Sequence, residues 1–262
     1  EIWFCLVGSE MCIRDSRDGI GCIVLPPDWD MSSTDKLPTI DLSYRTDTTH
    51  LPWPMGDAVT TTTLDPRISE SALSAAETWA FERSSPEQKT VSLLVLHKGE
   101  IVLERYADGF DMTTRTRTWS TAKSIASTLI GMKVDSEILA LDAPLAFEWL
   151  PAIKDRPAPD PRDAITLRHA LHMSSGLYPV DSFGMEYATG SGLAYWAGAS
   201  SVDGMRNRGL IREPGTFWDY ENYDTLLAVF ALKQTFANES DYQLFPHKAL
   251  FDRLGMTNTL AS

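Results

Sequence analysis

Ser120 and Lys123 are the residues of this chain whose types and spacing most directly indicate covalent chemistry. A serine hydroxyl is a weak nucleophile at neutral pH and needs a base close to it. Because residues three apart lie on one face of a helix, a helix that begins at Ser120 would bring the Lys123 amine near the serine oxygen. The free N–H groups and positive dipole end of that helix would stabilise negative charge there. The alternative is that Ser120 only caps a helix and Lys123 is a solvated side chain.

A second pair of polar residues, Tyr220 and Asn222, follows a turn at Pro214-Gly215. A tyrosinate held near a cation can take the proton of a serine and return it to a leaving group. An asparagine beside it can fix the lysine or bind a substrate amide. The alternative is an aromatic core residue next to the start of the helix that we expect over 224–235.

A hairpin and a helix are expected upstream of Ser120. Residues 91–96 and 101–106 are apolar and β-branched, and the intervening segment contains Gly99, which predicts two antiparallel strands around a turn. Asp65 and Pro66 have the residue types of a helix N-cap and first helical position, which predicts a helix from there through Arg83.

Further helices are expected downstream of Ser120. The apolar spacing predicts a short helix that ends near Trp149 and helices over 165–173 and 242–254. Residues 174–216 read as a long loop region, and long loops within a domain often carry function. Its aromatic residues either line a substrate pocket or pack in the core: Tyr178, Tyr187 and Trp196.

The composition excludes several classes of partner and cofactor. A net charge of −13 argues against nucleic acid or an anionic membrane surface as a partner. No stretch is long and apolar enough to span a bilayer. His169 and His172 are three apart on an expected helix but have no further metal ligand nearby, and the three cysteines lack metal-site spacing, so we expect no metal and no cofactor.

Three segments are expected along the chain. Residues 1–16 resemble a translated sequencing adapter around Cys5–Ser16, so we treat them as non-native and expect the true N-terminus to be missing. Residues 17–64 are rich in proline and irregular, which predicts an extended N-terminal arm whose Trp29, Trp53 and Met55 require burial. Residues 65–262 would form the main domain, which carries both pairs of reactive residues.

The two reactive groups together resemble the serine β-lactamase-like, penicillin-binding superfamily, closest to its class C β-lactamase, D,D-peptidase, esterase and 6-aminohexanoate-dimer hydrolase-like branch. The groups occur in the expected order, about a hundred residues apart, as Ser120-Thr-Ala-Lys123 and Tyr220-Glu-Asn222. The resemblance covers roughly residues 19–262. It extends to the segments Gly19–Cys22, Trp53–Asp57, Ile165–Leu177, Pro214–Thr216 and Leu254–Thr259.

This resemblance implies a fold and a set of roles. The fold is of the α/β (α+β) class: an antiparallel sheet flanked by helices, with an inserted all-helical subdomain. Ser120 would be the acylated nucleophile, Lys123 its hydrogen-bonded partner, Tyr220 the general base, and Asn222 an amide that faces the substrate or the lysine. The Ser120 N–H would form half of an oxyanion hole. The expected partner is a small-molecule ester or amide, and no metal or organic cofactor is implied.

One element of the family pattern is missing after Asn222. The family carries Lys or His followed by x-Gly on a late strand, and we find no such motif before Ser262. We therefore expect the sheet to be incomplete here and the C-terminal part to lie beyond Ser262. The sequence leaves open a β-lactamase or D,D-peptidase proper and a catalytically silent ligand-binding relative. It also leaves open the oligomeric state and the compartment, either the cell envelope (periplasm) or the cytoplasm of a bacterium.

Overall fold

Two compact units make up the structure, which is a computed structural model. It describes residues 3–4, 14–17, 21–29, 32–33, 39–58, 63–82, 85, 89–145, 160–181, 185–186, 188 and 190–261. The larger unit comprises Glu1–Leu42, Thr118–Ala249 and Leu260–Ser262, and the smaller unit comprises Ser43–Arg117 and Leu250–Thr259. The helix expected to end near Trp149 lies outside the described residues. The domain boundaries drawn from the sequence remain a prediction.

The predicted hairpin lies in the smaller unit. Strands β4 (Ser92–His97) and β5 (Glu100–Tyr106) pair in antiparallel register. Lys98 and Gly99 join them with φ angles of 52° and 84°. Two successive positive φ angles match the right-handed twist of a two-residue hairpin, and glycine adopts them without steric cost. The hairpin prediction is confirmed.

The helix expected from Asp65 begins one turn later than the sequence predicts. Helix α1 spans Glu70–Phe81, and its N-cap is Ser69, whose side chain accepts a hydrogen bond from the Ala72 N–H. The Asp65 carboxylate instead accepts from the Arg67 N–H (3.0 Å), and Ile68 N donates to the Asp65 carbonyl (2.8 Å). Asp65 therefore caps an isolated turn. Both residues are good N-caps, so residue type alone does not choose between them.

Part of the predicted N-terminal arm packs within the smaller unit. Arg45 Nε donates to Asp252 Oδ1 (2.7 Å), and Arg45 Nη1 donates to the Thr257 carbonyl (2.9 Å). Trp53 is half-buried and its indole N–H donates to the Gly99 carbonyl (2.7 Å). The expected burial of Met55 is wrong, because its side chain is 51% exposed.

The larger unit contains a small three-stranded sheet near the start of the chain. Strands β1 (Trp3–Phe4), β2 (Arg14–Arg17) and β3 (Gly21–Val24) are antiparallel in the order β1-β2-β3. Residues 1–16 were predicted to lie outside the fold, and irregular structure was predicted after them. The run Gly-Cys-Ile-Val of β3 is short and apolar, so its sequence alone does not predict a strand. Pairing with β2 supplies the backbone hydrogen bonds that make it one.

Helices form most of the larger unit. They are α2 (Thr121–Asp135), α3 (Leu167–Leu171), α4 (Gly192–Ala197), α5 (Ser201–Arg206), α6 (Asn222–Lys233) and α7 (Glu239–Pro246), with a 3₁₀ turn at Pro161–Ala164. A π turn, His247–Phe251, follows α7, and the 3₁₀ turn after it, Asp252–Leu254, belongs to the smaller unit. The expected loop region therefore contains α4 and α5. Within the described ranges, no helix has the length and apolar character needed to cross a bilayer.

Helix α6 is the central element of the larger unit and contacts α2, α3 and α5. Its buried residues recur at positions i, i+1, i+4 and i+5, which gives one wide face: Tyr223, Asp224, Leu227, Ala228, Ala231 and Leu232. A fully buried leucine such as Leu227 contributes about 1.5–3 kcal/mol to the stability of the fold. This packing fixes the first residue of α6, Asn222, relative to α2.

The predicted fold class is confirmed. Every strand pair among the described strands is antiparallel, and helices supply most of the regular structure. The sheets are short, with three and two strands. The elements that carry the predicted reactive residues, the start of α2 and the start of α6, both belong to the larger unit.

Candidate active site

Ser120 immediately precedes α2, with its backbone in the helical region (φ −66°, ψ −8°). Its side chain is exposed and makes no capping hydrogen bond. Its Oγ lies 2.6 Å from the Tyr220 hydroxyl and accepts from Lys123 Nζ at 3.3 Å. Ser120 thus occupies the N-cap position of α2, but its side chain bonds to Tyr220 and Lys123 and not to the helix backbone.

Trp119, directly before Ser120, has a left-handed backbone with φ 48°. Such a conformation costs about 1–3 kcal/mol for a residue with a Cβ, and it concentrates at functional sites. The hydrogen bonds Thr121 N to Thr118 O (3.2 Å) and Ala122 N to Trp119 O (3.0 Å) hold this turn. The turn leaves the Ser120 N–H without a protein acceptor in the described part of the chain. That N–H is thus available to a ligand oxygen.

Tyr220 approaches the same serine from the segment before α6. Its ring is 42% exposed, and Lys123 Nζ lies 4.9 Å from the ring centroid. The hydrogen bond with Ser120 and the adjacent Lys123 ammonium hold the pKa of the Tyr220 phenol below its ordinary value. Partial burial and the charge of Glu186 act in the opposite direction. The net effect is that the Tyr220 phenol loses its proton more easily than a free tyrosine does.

Lys123 links the serine to Asn222. Its ammonium donates to Ser120 Oγ and to Asn222 Oδ1. A lysine ammonium has donors only, so the oxygen of the Asn222 amide must be the atom that faces it. The Asn222 NH₂ group therefore points the other way, where it donates to Ser191 Oγ at 2.9 Å. The structure thus brings all four predicted site residues together.

Asp181 and Ser191 are site-supporting residues that the sequence analysis missed. Asp181 Oδ1 accepts from Ser191 N (2.7 Å), and Asp181 Oδ2 accepts from Asn222 N (2.9 Å). Both residues lie in the segment that was predicted only as a long loop. No residue pattern marks them, and their separation from Asn222 along the chain hides the contact until the chain is folded.

A buried ionic cluster lies beneath the Tyr220 segment. Arg208 forms ion pairs with Glu221 (3.6 Å) and Asp224 (3.0 Å), and these side chains are 2% exposed. Asp224 also accepts from the Ser175 hydroxyl (2.8 Å). Burial raises the pKa of the Glu221 carboxyl above its ordinary value. Removing one member of such a cluster leaves a buried uncompensated charge, so the cluster anchors this part of the backbone strongly.

The remaining residues that the sequence suggested for a metal site or a substrate pocket are two histidines and three aromatic residues. His169 completes a capping box at the start of α3, where its Nδ1 accepts from Thr166 N (3.2 Å), which is a structural role. The described residues contain no cluster of metal-ligating side chains. Tyr178 is 57% exposed, and Trp196 packs edge-on against Tyr195 (4.7 Å between centroids). Tyr187 lies outside the described residues, so the pocket-lining predictions remain predictions.

Trp119 and Tyr195 form an exposed aromatic pair next to Ser120. Their ring centroids are 5.6 Å apart, and both rings are more than a third exposed. Trp218 lies 6.5 Å from the Tyr220 ring and is also exposed. Neither Tyr195 nor Trp218 was predicted from the sequence to belong to the site. Their proximity to Ser120 and Tyr220 appears only when α4 and the segment before α6 are in place.

Comparison with known proteins identifies the family to which this chain belongs. The family model described as Beta-lactamase matches residues 80–261. Since this is more than half of the chain, the protein belongs to the β-lactamase family, and the family's members are hydrolases. The resemblance to the serine β-lactamase-like superfamily that the sequence predicted is confirmed. Among curated proteins, nothing matches the chain.

A solved structure with a TM-score above 0.5 supports the fold. The chain is 21% identical to a crystal structure described as "putative beta-lactamase" from Bacteroides dorei, with a TM-score of 0.53 over 72% of this chain and 52% of that one. It is 17% identical to a "putative 6-aminohexanoate-dimer hydrolase" from Bacillus anthracis (TM-score 0.49; 64% of this chain, 45% of that one). It is 19% identical to a D-stereospecific amidohydrolase from Streptomyces (TM-score 0.44; 58% and 45%). The chain therefore spans about half the length of the solved structures that it matches.

Proposed function

We propose that the protein is a serine hydrolase that cleaves an ester or amide bond through an acyl-enzyme on Ser120. The observation that carries this proposal is the environment of Ser120 Oγ, which is hydrogen-bonded to Tyr220 at 2.6 Å and to Lys123 at 3.3 Å. A serine becomes a nucleophile when a base is within hydrogen-bond reach and a third group orients that base. Tyr220 supplies the base, and Lys123 supplies the charge that favours its phenolate.

In the acylation step, Ser120 Oγ bonds to the substrate carbonyl carbon while its proton moves to the Tyr220 phenolate oxygen. The carbonyl π electrons move to the oxygen, which becomes an oxyanion. The oxyanion then collapses, the bond to the leaving alcohol or amine breaks, and the leaving group takes the proton from Tyr220. Lys123, whose Nζ donates to Ser120 Oγ, stabilises the negative charge that moves between Ser120 and Tyr220.

In the deacylation step, a water molecule takes the place of the leaving group. Tyr220 removes a proton from the water as its oxygen attacks the ester carbonyl. Collapse of the second oxyanion breaks the bond to Ser120 Oγ, and Tyr220 returns the proton to the serine. The products are a carboxylic acid and the regenerated hydroxyl, so no cofactor or co-reactant other than water is required.

The Ser120 N–H is the proposed donor to the oxyanion. It lies at the N-terminus of α2, a helix of 15 residues, where the helix dipole also favours negative charge. One such donor is worth about 10²–10³ in kcat in serine hydrolases. By resemblance to the family, the second donor comes from the late strand that carries the Lys-x-Gly or His-x-Gly motif.

Covalent labelling tests this proposal. We expect a fluorophosphonate probe to label the full-length protein that carries this chain, and peptide mass mapping to locate the adduct on Ser120. Ser120→Ala should not label, whereas Ser136→Ala, which removes an exposed hydroxyl at the other end of α2, should label like the parent. An intact, folded protein that does not label would favour a catalytically silent ligand-binding relative.

The substrate class separates the remaining alternatives. A nitrophenyl ester, a chromogenic cephalosporin and a linear amide dimer present the same carbonyl to Ser120 with different leaving groups. Turnover of the ester or the amide dimer alone would support an esterase or amidase. Turnover of the cephalosporin would support a β-lactamase, and cleavage of a D-alanyl-D-alanine peptide would support a D,D-peptidase.

The pH dependence of kcat/KM should follow the Tyr220 phenol. The base form is the phenolate, so activity should rise as the pH rises through the lowered pKa of Tyr220. Lys123→Met removes the cation that lowers this pKa, and the acid limb should therefore move to higher pH. Lys133→Met, at the far end of α2, is the matched control. An acid limb that stays in place in Lys123→Met would contradict the role of Lys123.

A further inference from the structure

The Asn222 amide is held on both of its faces. Its oxygen accepts from Lys123, and its nitrogen donates to Ser191 Oγ at 2.9 Å. An amide that rotated by half a turn would place its NH₂ group against the Lys123 ammonium, where two donors would face each other. The hydrogen bond to the Ser191 hydroxyl therefore stabilises the one orientation of the amide in which Asn222 can accept from Lys123.

A single carboxylate positions Ser191 relative to Asn222. The two oxygens of Asp181 accept from Ser191 N (2.7 Å) and from Asn222 N (2.9 Å), so one side chain joins the loop before α4 to the first residue of α6. Bonds from N–H groups to a carboxylate are charge-assisted and stronger than neutral ones. The N-terminus of α6, a helix of 12 residues, adds a favourable dipole.

The close approach of Asp181 depends on Gly190. A Cβ added at this residue would overlap Asp181 Oδ1 and the Val180 carbonyl oxygen. An alanine at this position would therefore displace the carboxylate or the loop that carries Ser191. Gly190 is buried, which limits the space into which the loop could move.

The backbone of Asp181 is also held in place. Asp181 N donates to Glu221 Oε1 (3.0 Å), and Glu221 is in turn paired with Arg208 in the buried ionic cluster. Asp181 is thus fixed through its backbone as well as its side chain. The chain of contacts runs from the buried cluster through Asp181 and Ser191 to Asn222, and from Asn222 to Lys123.

We propose that Ser191 and Asp181 are positioning residues that fix the orientation of the Asn222 amide and, through it, the position of the Lys123 ammonium beside Ser120 and Tyr220. This inference rests on the proposed serine hydrolase function. Neither residue touches the reacting atoms. Their effect on the reaction is expected to pass entirely through the lysine.

Ser191→Ala is the first test. Without the hydroxyl, the Asn222 amide loses the partner of its NH₂ group, and Lys123 is held less firmly. We expect kcat/KM and the rate of fluorophosphonate labelling to fall about tenfold, the loss expected for one hydrogen bond that acts in the transition state. KM should change little, and the acid limb of the pH profile should move to higher pH.

The controls separate positioning from folding. Ser191→Thr keeps the hydroxyl and should restore the parent pH profile, whereas Ser136→Ala should not disturb it. Among the described residues, the charges of Lys123 and Glu186 act on the pKa of Tyr220, and both residues are unchanged in these variants. A purely structural role for Ser191 would lower the melting temperature without moving the acid limb.

Asp181→Asn and Gly190→Ala provide independent variants of the same contact. Both should reproduce the shift of the acid limb, while Gly131→Ala, an exposed glycine of α2 whose added Cβ meets no atom within 4 Å, should not. A parent-like labelling rate and pH profile in Ser191→Ala and Asp181→Asn would overturn the inference. A parent that fails to label would instead overturn the proposed function, and with it this inference.

Discussion

Ser120→Ala is expected to reduce kcat/KM for an activated ester by about 10⁴-fold or more, the scale of loss found when a nucleophilic serine is removed from a hydrolase. The substitution removes the oxygen that lies 2.6 Å from Tyr220 and 3.3 Å from Lys123. Ser191, the other serine of the described site, is engaged by the Asn222 amide and is not placed to replace it. Initial rates with a nitrophenyl ester in the full-length protein measure this effect.

The loss in Ser120→Ala should be chemical and not structural. The Ser120 side chain is exposed and makes no capping bond to α2, so its removal should change the free energy of unfolding by no more than about 0.5 kcal/mol. An unchanged melting temperature together with lost turnover is the expected combination. Residual activity near that of the parent, in a protein freed of contaminating esterases, would refute Ser120 as the nucleophile.

Tyr220→Phe is expected to lower kcat by about 10²–10⁴-fold, the range associated with loss of a general acid–base group. The ring remains, so its contact with Lys123 at 4.9 Å and with Trp218 at 6.5 Å can be retained, and only the phenolic oxygen is lost. Steady-state rates and the rate of fluorophosphonate labelling should fall together, because the same oxygen serves acylation and deacylation.

The pH profile distinguishes a base from a mere neighbour of Ser120. If Tyr220 accepts the serine proton, the acid limb assigned to its lowered pKa should disappear in Tyr220→Phe. Tyr106→Phe is a matched control, since Tyr106 lies in the smaller unit and donates to Glu104. A Tyr220→Phe variant that retains the parent's acid limb and rate would show that another group removes the proton, with Lys123 as the first candidate.

These two variants also test different parts of the arrangement. Ser120→Ala removes the atom that forms the covalent bond, so labelling should be absent. Tyr220→Phe leaves that atom in place, so labelling should be slow but should still occur on Ser120. Observing slow labelling at the same serine would support separate roles for the two hydroxyls.

Local features of the fold were predictable because they depend on neighbours along the chain. The hairpin follows from two β-branched runs and a turn at Lys98-Gly99, and α2 follows from its apolar spacing. The spacing of Ser120 and Lys123 places them on one face of that helix, so their contact required no tertiary information. The helix start at Ser69 was missed because Asp65 is an equally good cap.

The contact between Tyr220 and Ser120 was predicted from the sequence although it does not depend on neighbours along the chain. The two residues are 100 positions apart, so no periodicity connects them. Their pairing was predicted through resemblance to a family, and the packing of α6 against α2 is what produces it in the structure. The pattern of buried residues on α6 shows why this packing is stable, since one wide face of the helix is removed from water.

The reactive residue types, the spacing of Ser120 and Lys123 and the family of the chain were all predictable from sequence. The side of the Asn222 amide that faces Lys123, and the residues that hold it there, follow only from the folded arrangement of α2, α4 and α6. Asp181 and Ser191 join this site through hydrogen bonds across 41 and 31 positions of the chain. Their side chains are common in any loop, and a role that depends on distance and direction in space leaves no periodic trace in sequence.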